Sequence, residues 1–207
     1  MSELFLRILL TTLVVMDPLG AVPLFISLSS GMKAEDRKKA IRTAILTSFI
    51  VLAVFILGGR LILRFFGIMP GSFYVAGGFL FFLIAIDMLF GQPKRSRTSS
   101  EESPEDDHSS IAVFPLAIPM IAGPGMVTTI MLYSAGDYPA VETTAMLFAA
   151  VVLALAAMTV ALASSGLVLR VLGKTGVSVV ERIMGLLLAG LSVQFIYDGL
   201  EKLGILA

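Results

Sequence analysis

The sequence Met-Asp-Pro-Leu-Gly-Ala-Val-Pro-Leu-Phe, residues 16–25, lies inside an apolar segment that runs over residues 4–28. Proline removes a backbone donor and clashes with the preceding turn, so Pro18 and Pro23, with a glycine between them, predict an interrupted helix. Asp17 adds a carboxylate where an ordinary membrane helix has Leu or Val. In the middle of a bilayer such a charge costs roughly 2.5 kcal/mol or more unless it meets water, a partner or a proton. The stretch therefore predicts a membrane helix broken at a polar residue.

The composition of the whole chain is that of a protein in lipid. Apolar residues make up 57% of it and charged residues only 14%, whereas soluble domains average about 25% charged residues. The 15 basic residues equal the 15 acidic ones, so nucleic acid is not an expected partner. The sequence has no cysteine, one histidine and no glycine-rich phosphate loop, nucleophile elbow or zinc motif. We therefore expect no enzyme activity, no metal site and no cofactor.

Membrane spans need about 20 mostly apolar residues each, and further uncharged segments suit such spans at residues 43–59, 65–86, 111–136 and 143–169. A last segment, 183–197, is shorter but continues apolar past Asp198. With the first segment they predict an all-α membrane protein of six transmembrane helices. A polar linker, residues 92–110, divides the chain into units at 1–91 and 111–207.

The two units are related by an internal repeat. A shift of 106 residues places Leu-Ile-Leu-Arg-Phe-Phe-Gly at 61–67 on Leu-Val-Leu-Arg-Val-Leu-Gly at 167–173, and Pro18 on Pro124. Because each unit has three spans, the second enters the membrane upside down relative to the first. The sequence thus predicts two inverted three-helix repeats.

The fourth predicted helix contains a second proline-glycine motif, with three prolines, two glycines and two threonines over residues 115–129. It should break as the first helix does. Backbone groups freed by a break cannot face lipid and must line a cavity, and paired breaks in the two halves of a transporter point to its midplane site. We predict a substrate site for a small zwitterion between the two broken helices, formed by Asp17, Pro18, Gly20, Pro23, Gly123, Pro124, Gly125, Thr128 and Thr129.

Several of these residues allow two interpretations. Asp17 is a candidate to accept a coupling proton or the ammonium group of a substrate, and equally an aspartate that caps the half-helix begun by Pro18. For Thr128 and Thr129, contact with substrate or ion stands beside simple capping. We expect Asp198, near the end of the last span, to cap, pair or face the interface rather than bind substrate.

Orientation follows from the basic residues, which favour the cytoplasmic side of a membrane. Of the 15, 11 fall in segments that share one side, at 33–42, 94–97 and 170–182. This predicts both termini on the non-cytoplasmic side and the polar linker inside the cell.

Four motifs together resemble the MarC family of integral membrane proteins. They are Asp-Pro-Leu-Gly-Ala-Val-Pro-Leu-Phe at 17–25, Ile-Ala-Ile-Asp-Met-Leu-Phe-Gly at 84–91, Ile-Pro-Met-Ile-Ala-Gly-Pro-Gly at 118–125 and Gln-Phe-Ile-Tyr-Asp-Gly at 194–199. The resemblance implies a bacterial inner-membrane protein of six spans, in a family that includes transporters of glycine and alanine. It predicts a secondary transporter of small neutral amino acids, with a proton as the candidate coupling ion.

Two other functions stay open at this point. One is an exporter or channel for another small solute, and the other is a structural or regulatory membrane protein that transports nothing. Partners are the lipid bilayer and a small amino acid, and the sequence is compatible with an oligomer.

Overall fold

A computed structural model describes residues 2–29, 31–90, 112–136 and 139–206. These residues form helices and turns, and no strand occurs among them. The predicted polar linker at 92–110 lies outside the described residues. In chain order the elements are α1 (Ser2–Met16), α2 (Ala21–Leu28), α3 (Ala34–Phe65), α4 (Pro70–Phe90), the π-helical segment π1 (Ala112–Ile121), α5 (Pro124–Ala135), α6 (Ala140–Ala163) and α7 (Ser165–Lys202).

Four helices, α3, α4, α6 and α7, are long and apolar enough to cross a membrane. α1 and α2 together make a fifth candidate span, which bends by 40°. The prediction of an all-helical protein with several membrane spans is therefore confirmed for the described residues. The predicted fourth span falls on π1 and α5, and the count of six spans stays a prediction.

Both interrupted helices break at their proline-glycine motifs. The first break, residues 17–20, separates α1 from α2, and the second break, residues 122–123, separates π1 from α5. The predicted span at 143–169 ends earlier than expected, at Ala163. Ser164 is the C-cap residue, with φ −95° and ψ 15° outside the helical range. Its N–H still donates to the carbonyl oxygen of Val160 at 2.9 Å.

Two glycines that the sequence repeat aligns both have a positive φ. Gly67 follows α3 with a φ of 63°, and Gly173 kinks α7 with a φ of 64°. Glycine adopts a positive φ readily because it has no Cβ. Aligned positions of the two units thus share a requirement for glycine.

The described residues of the two predicted repeats share one core. α1 packs on α6, while α3 packs on π1, α5 and α6, and the most extensive interface joins α4 to α7. Each of these contacts pairs a helix of the first unit with one of the second. Side chains from both units accordingly form a single buried cluster.

Small residues bring α4 and α7 together. A Cβ atom on Gly199 would lie 2.8 Å from the carbonyl oxygen of Gly71, and one on Gly78 would lie 2.7 Å from the carbonyl oxygen of Ser192. Such residues let helix backbones approach closely in a membrane. Because the earlier residue of α4 meets the later residue of α7, the two helices run antiparallel.

Candidate functional site

The two breaks lie beside each other because α1 and α5 pack antiparallel. The hydroxyls of Thr11 and Tyr133 share a 2.9 Å hydrogen bond. One turn further along α1, Val15 lies against Gly125, where a Cβ would be 2.9 Å from the Val15 Cγ1 atom. The end of α1 therefore meets the start of α5, and both breaks lie at about the same level.

Asp17 forms the centre of the first break. Its side chain is only 3% exposed, and its φ of 49° places it in the left-handed region. Aspartate tolerates this region better than most residues because its short side chain bonds to nearby backbone. Here Oδ1 of Asp17 accepts a 3.1 Å hydrogen bond from the N–H of Gly20. The bond satisfies the Gly20 donor in the turn before α2. α2 itself begins at Ala21, with Gly20 as its N-cap and no side-chain cap bond, so Asp17 does not cap a half-helix that begins at Pro18.

A second carboxylate joins Asp17 at this break. A Cβ on Gly20 would collide with both Oδ2 of Asp17 and Oε1 of Glu181. The two carboxylates therefore converge on one glycine, and Glu181 comes from α7 at the other end of the sequence. Two carboxylates this close together present negative charge to the same point and attract a cation. Glu181 is partly exposed, whereas Asp17 is buried.

Sequence reasoning missed Glu181. It lies beside the basic residues of 170–182, which fit the orientation signal, and no motif marks it. The only local hint is Gly20, the residue on which the two carboxylates converge. A glycine at position 20 leaves room for another side chain, but the sequence does not show which residue fills that room.

The second break is built from backbone and apolar side chains. The N–H of Ala122 donates to the carbonyl oxygen of Ala117 at 2.9 Å, which closes the π-helical segment. Gly123 is extended, with φ −83° and ψ 178°, and Pro124 is the first residue of α5. Proline is favoured there because it lacks an N–H and its φ suits the first turn.

The two predicted threonines are buried and engaged. Thr129 donates its hydroxyl to the carbonyl oxygen of Gly125, one turn back, at 2.9 Å. The methyl group of Thr128 packs on Gly77, where a Cβ would lie 2.9 Å away. Thr129 is thus bonded within its own helix, and Thr128 fits a close contact between α4 and α5.

The structure divides the nine predicted site residues into two groups. The prolines lie outward, with Pro23 and Pro124 exposed and Pro18 partly exposed. The remaining six are buried, namely Asp17, Gly20, Gly123, Gly125, Thr128 and Thr129. Of these, Asp17 contacts Gly20 at the first break and Thr129 contacts Gly125 at the second. Binding of substrate by any of the nine stays a prediction.

A cavity of about 470 Å³ opens at the N-terminal end of α1, away from both breaks. Its lining, which we call the charged cavity, consists of Leu4, Arg7, Tyr74, Tyr133, Gly136, Phe195, Asp198, Glu201 and Lys202. Asp198 accepts a 2.6 Å hydrogen bond from Nε2 of Gln194, so it pairs as the sequence suggested. Sequence reasoning did not identify the cavity, because its walls come from four separate helices.

In the described ranges, no three His, Cys, Asp or Glu side chains lie close enough together to hold a metal ion. The carboxylates of Asp17 and Glu181 lie together at Gly20, in the first break.

Comparison with known proteins gives a consistent result. The model of a family described as MarC family integral membrane protein matches residues 2–204. A UPF0056 membrane protein of Aquifex aeolicus is 36% identical over 97% of this chain and 94% of its own length. One from Archaeoglobus fulgidus is 34% identical over 93% of this chain and 91% of its own. The UPF0056 membrane protein YvbG of Bacillus subtilis is 36% identical over 97% of this chain and 96% of its own. No solved structure matches.

Proposed function

The chain belongs to the MarC family of integral membrane proteins, and from this premise we propose that it is a secondary transporter of small neutral amino acids such as glycine and alanine. The observation that supports this most is the meeting of two interrupted helices at one level, with buried Asp17 at the first break. Interrupted helices offer freed backbone groups and helix ends to a small charged substrate near the membrane midplane.

The proposal includes six spans in two inverted repeats, with π1 and α5 as the fourth span. Three features support it. α1 runs antiparallel to α5, the aligned Gly67 and Gly173 both have a positive φ, and the packing of α1 on α6 has a counterpart in the packing of α3 on α5. Inverted repeats of this kind rock against each other to expose a shared site to each side in turn.

The chemistry of the site divides between the breaks. The carboxylates of Asp17 and Glu181 accept either a coupling proton or the ammonium group of the substrate. The N-terminus of α5, with Gly123 before it, attracts the substrate carboxylate through its free N–H groups. The first break thus serves the positive end of the substrate and the second its negative end.

Transport is tested with purified protein in liposomes, supplied with labelled alanine or glycine with and without a proton gradient. We expect saturable uptake that the gradient accelerates. A panel of small amino acids that all fail to exceed empty liposomes would remove the proposed function. Flux that neither saturates nor depends on the gradient would indicate a channel instead.

We further propose that the protein lies in the cytoplasmic membrane with both termini outside. The natural chain has no cysteine, so single cysteines can be introduced without background. In intact cells, an impermeant maleimide should label Ser2→Cys and Leu206→Cys but not Lys174→Cys. The reverse labelling pattern would invert the orientation.

A further inference from the structure

Two arginines join the two halves of the chain at opposite ends of α3. Nη2 of Arg37 donates to the hydroxyl of Ser165, the first residue of α7, at 3.1 Å. Nε of Arg60 donates to the carbonyl oxygen of Ser134, near the end of α5, at 2.6 Å. α3 belongs to the first predicted unit, whereas α5 and α7 belong to the second. Both bonds therefore cross the boundary at which the halves of a rocking transporter move apart.

We propose that these contacts are two latches that close the space around the breaks, one at each end. The Arg37 latch consists of Arg37, Phe25 and Ser165, and the Arg60 latch consists of Arg60 and Ser134. The latches rest on the proposed function, because only a transporter of this kind opens at one end while the other end stays closed. Both bonds are formed in the structure, so both ends are closed.

The Arg37 latch joins three helices beside the first break. The guanidinium of Arg37 lies 5.4 Å from the ring centre of Phe25 on α2, within the usual range of a cation–π contact. Phe25 is 2% exposed and Ser165 is fully buried, so one partly buried cation holds α2 against the start of α7. α2 begins at the first break, and α7 contributes Glu181 to it. The latch thus fixes the two helices that flank the carboxylates.

The Arg60 latch lies on the other side of the breaks. Ser134 directly follows Tyr133, whose hydroxyl shares the 2.9 Å hydrogen bond with Thr11 of α1. α5 is therefore joined to α3 and to α1 at one level, and both connections link the first half to the second. Tyr133 also lines the charged cavity, so the open space at this end reaches the level of the latch.

The first break lies about midway between the latches. Phe25 is five residues past Gly20, which is roughly 8 Å along the chain at the helical rise of about 1.5 Å per residue. Thr11, at the level of the Arg60 latch, is six residues before Asp17, or roughly 9 Å along α1. The two arginines are roughly 35 Å apart along α3, close to the roughly 30 Å thickness of the hydrocarbon core. Each latch therefore separates the break from one face of the membrane.

Opening at one end breaks the contacts of one latch only. A hydrogen bond to a charged group contributes enough that its loss shifts a two-state equilibrium about tenfold or more. Neutralising one arginine should therefore favour opening at its own end and leave the other end closed. A purely structural contact would instead loosen the protein without preference for one face.

The labelling of one introduced cysteine from each face of the membrane tests the latches, since the natural chain has no cysteine. Val15 lies against Gly125 at the level of the breaks, and Val15→Cys puts a smaller side chain there. A small impermeant methanethiosulfonate is added to intact cells or to inside-out vesicles. With the proposed orientation, Arg37→Gln should speed labelling at least about tenfold in inside-out vesicles only, and Arg60→Gln in intact cells only.

Matched variants separate the latches from general effects of charge. Arg42→Gln and Arg64→Gln remove exposed arginines of α3 near each latch and should not alter labelling. Ser165→Ala removes the acceptor of the Arg37 bond and should act in the same direction as Arg37→Gln, with the two losses less than additive. It gives the same test if Arg37→Gln does not fold. Arg60→Lys keeps a cationic donor and should restore most of the closure.

Faster labelling from both faces in either arginine variant would overturn the latches, and so would unchanged labelling in Arg37→Gln, Ser165→Ala and Arg60→Gln. A swap of the two faces in both arginine variants would keep the latches and invert the orientation. The transport function fails separately. One-sided labelling without uptake of alanine or glycine would keep the latches and remove the proposed substrates, whereas uptake without one-sided labelling would keep transport and overturn the latches.

Discussion

The two breaks occupy matching places in the two halves, yet they differ in chemistry. At the first, Gly20 lies under the carboxylates of Asp17 and Glu181, whereas at the second, Gly125 lies under methyl groups of Val15 and Ile84. The two proline-glycine motifs therefore have the helix interruption in common but not the charge. On the proposed function, the first break would provide proton or ammonium chemistry, and the second a helix N-terminus and close packing.

The largest expected difference between the breaks comes from adding one methyl group to each. Gly20→Ala would drive a carbon atom into two carboxylate oxygens. We expect it to reduce uptake about 100-fold, because small displacements at a transport or catalytic site have effects of that size. It should also destabilise the fold by about 1–3 kcal/mol. Gly125→Ala would bring its Cβ to 2.9 Å from Cγ1 of Val15 and 3.0 Å from Cδ1 of Ile84. These approaches are longer than those to the carboxylate oxygens at Gly20, and no charged group is displaced, so the loss should be smaller.

Uptake in liposomes and thermal unfolding in detergent measure both effects. Gly190→Ala is the control, because no atom lies within 4 Å of the added Cβ. If Gly20→Ala and Gly125→Ala reduced uptake and stability equally, steric crowding alone would explain both losses, and the carboxylates would have no special part in them.

The next largest effect on uptake should come from Asp17→Asn, which removes the charge of the side chain but keeps its shape. Asparagine also tolerates the left-handed conformation and can accept the hydrogen bond from Gly20, so Asp17→Asn should fold normally. A hydrogen bond to a charged group contributes roughly 1.5–3 kcal/mol, so uptake should fall about 10- to 100-fold and lose its dependence on the proton gradient. Asp87→Asn, an acid near the end of α4, is the control. Full gradient-driven uptake in Asp17→Asn would separate Asp17 from coupling.

A double-mutant cycle tests whether Asp17 and Glu181 act together. Groups in direct contact usually show coupling energies of about 0.5–3 kcal/mol. Glu181→Gln should therefore impair uptake when Asp17 is present and have much less effect in Asp17→Asn. Rates of alanine uptake in the four proteins give the coupling energy directly. Strictly additive losses would mean that the two carboxylates serve separate purposes.

The smallest effect is expected at the second break, from Thr129→Val. The Thr129 hydroxyl already donates to the Gly125 carbonyl within its own helix. The substitution keeps the shape and removes one bond, so stability should change by about 1 kcal/mol or less and uptake hardly at all. Measured KM for alanine is the sensitive readout. A clear rise in KM would indicate that Thr129 contacts the substrate. The two breaks would then differ less in function than their chemistry suggests.

Sequence alone predicted the features that depend on local chemistry. Proline lacks an N–H and clashes with the preceding turn, so a break within each proline-glycine motif was predictable. Which proline lies at the break was not, since Pro23 lies inside α2 and Pro119 inside π1. The end of α6 was not, because the uncharged run continues past Ala163 and apolarity says nothing of the cap made by Ser164. Glu181 was also missed, because its meeting with Gly20 depends on the packing of α2 against α7. Contacts between distant segments leave no periodic signal in either segment.

The shared core of the two halves also has a consequence for how the protein is made. α4 is synthesised early, but its most extensive partner, α7, is the last helix described. Until α7 enters the bilayer, the glycines of α4 at 71 and 78 have no backbone to approach. The contacts between α4 and α7 therefore cannot form until the second half of the chain is inserted. The interface of α4 forms only when α7 arrives, and a product truncated before α7 would leave Gly71 and Gly78 facing lipid.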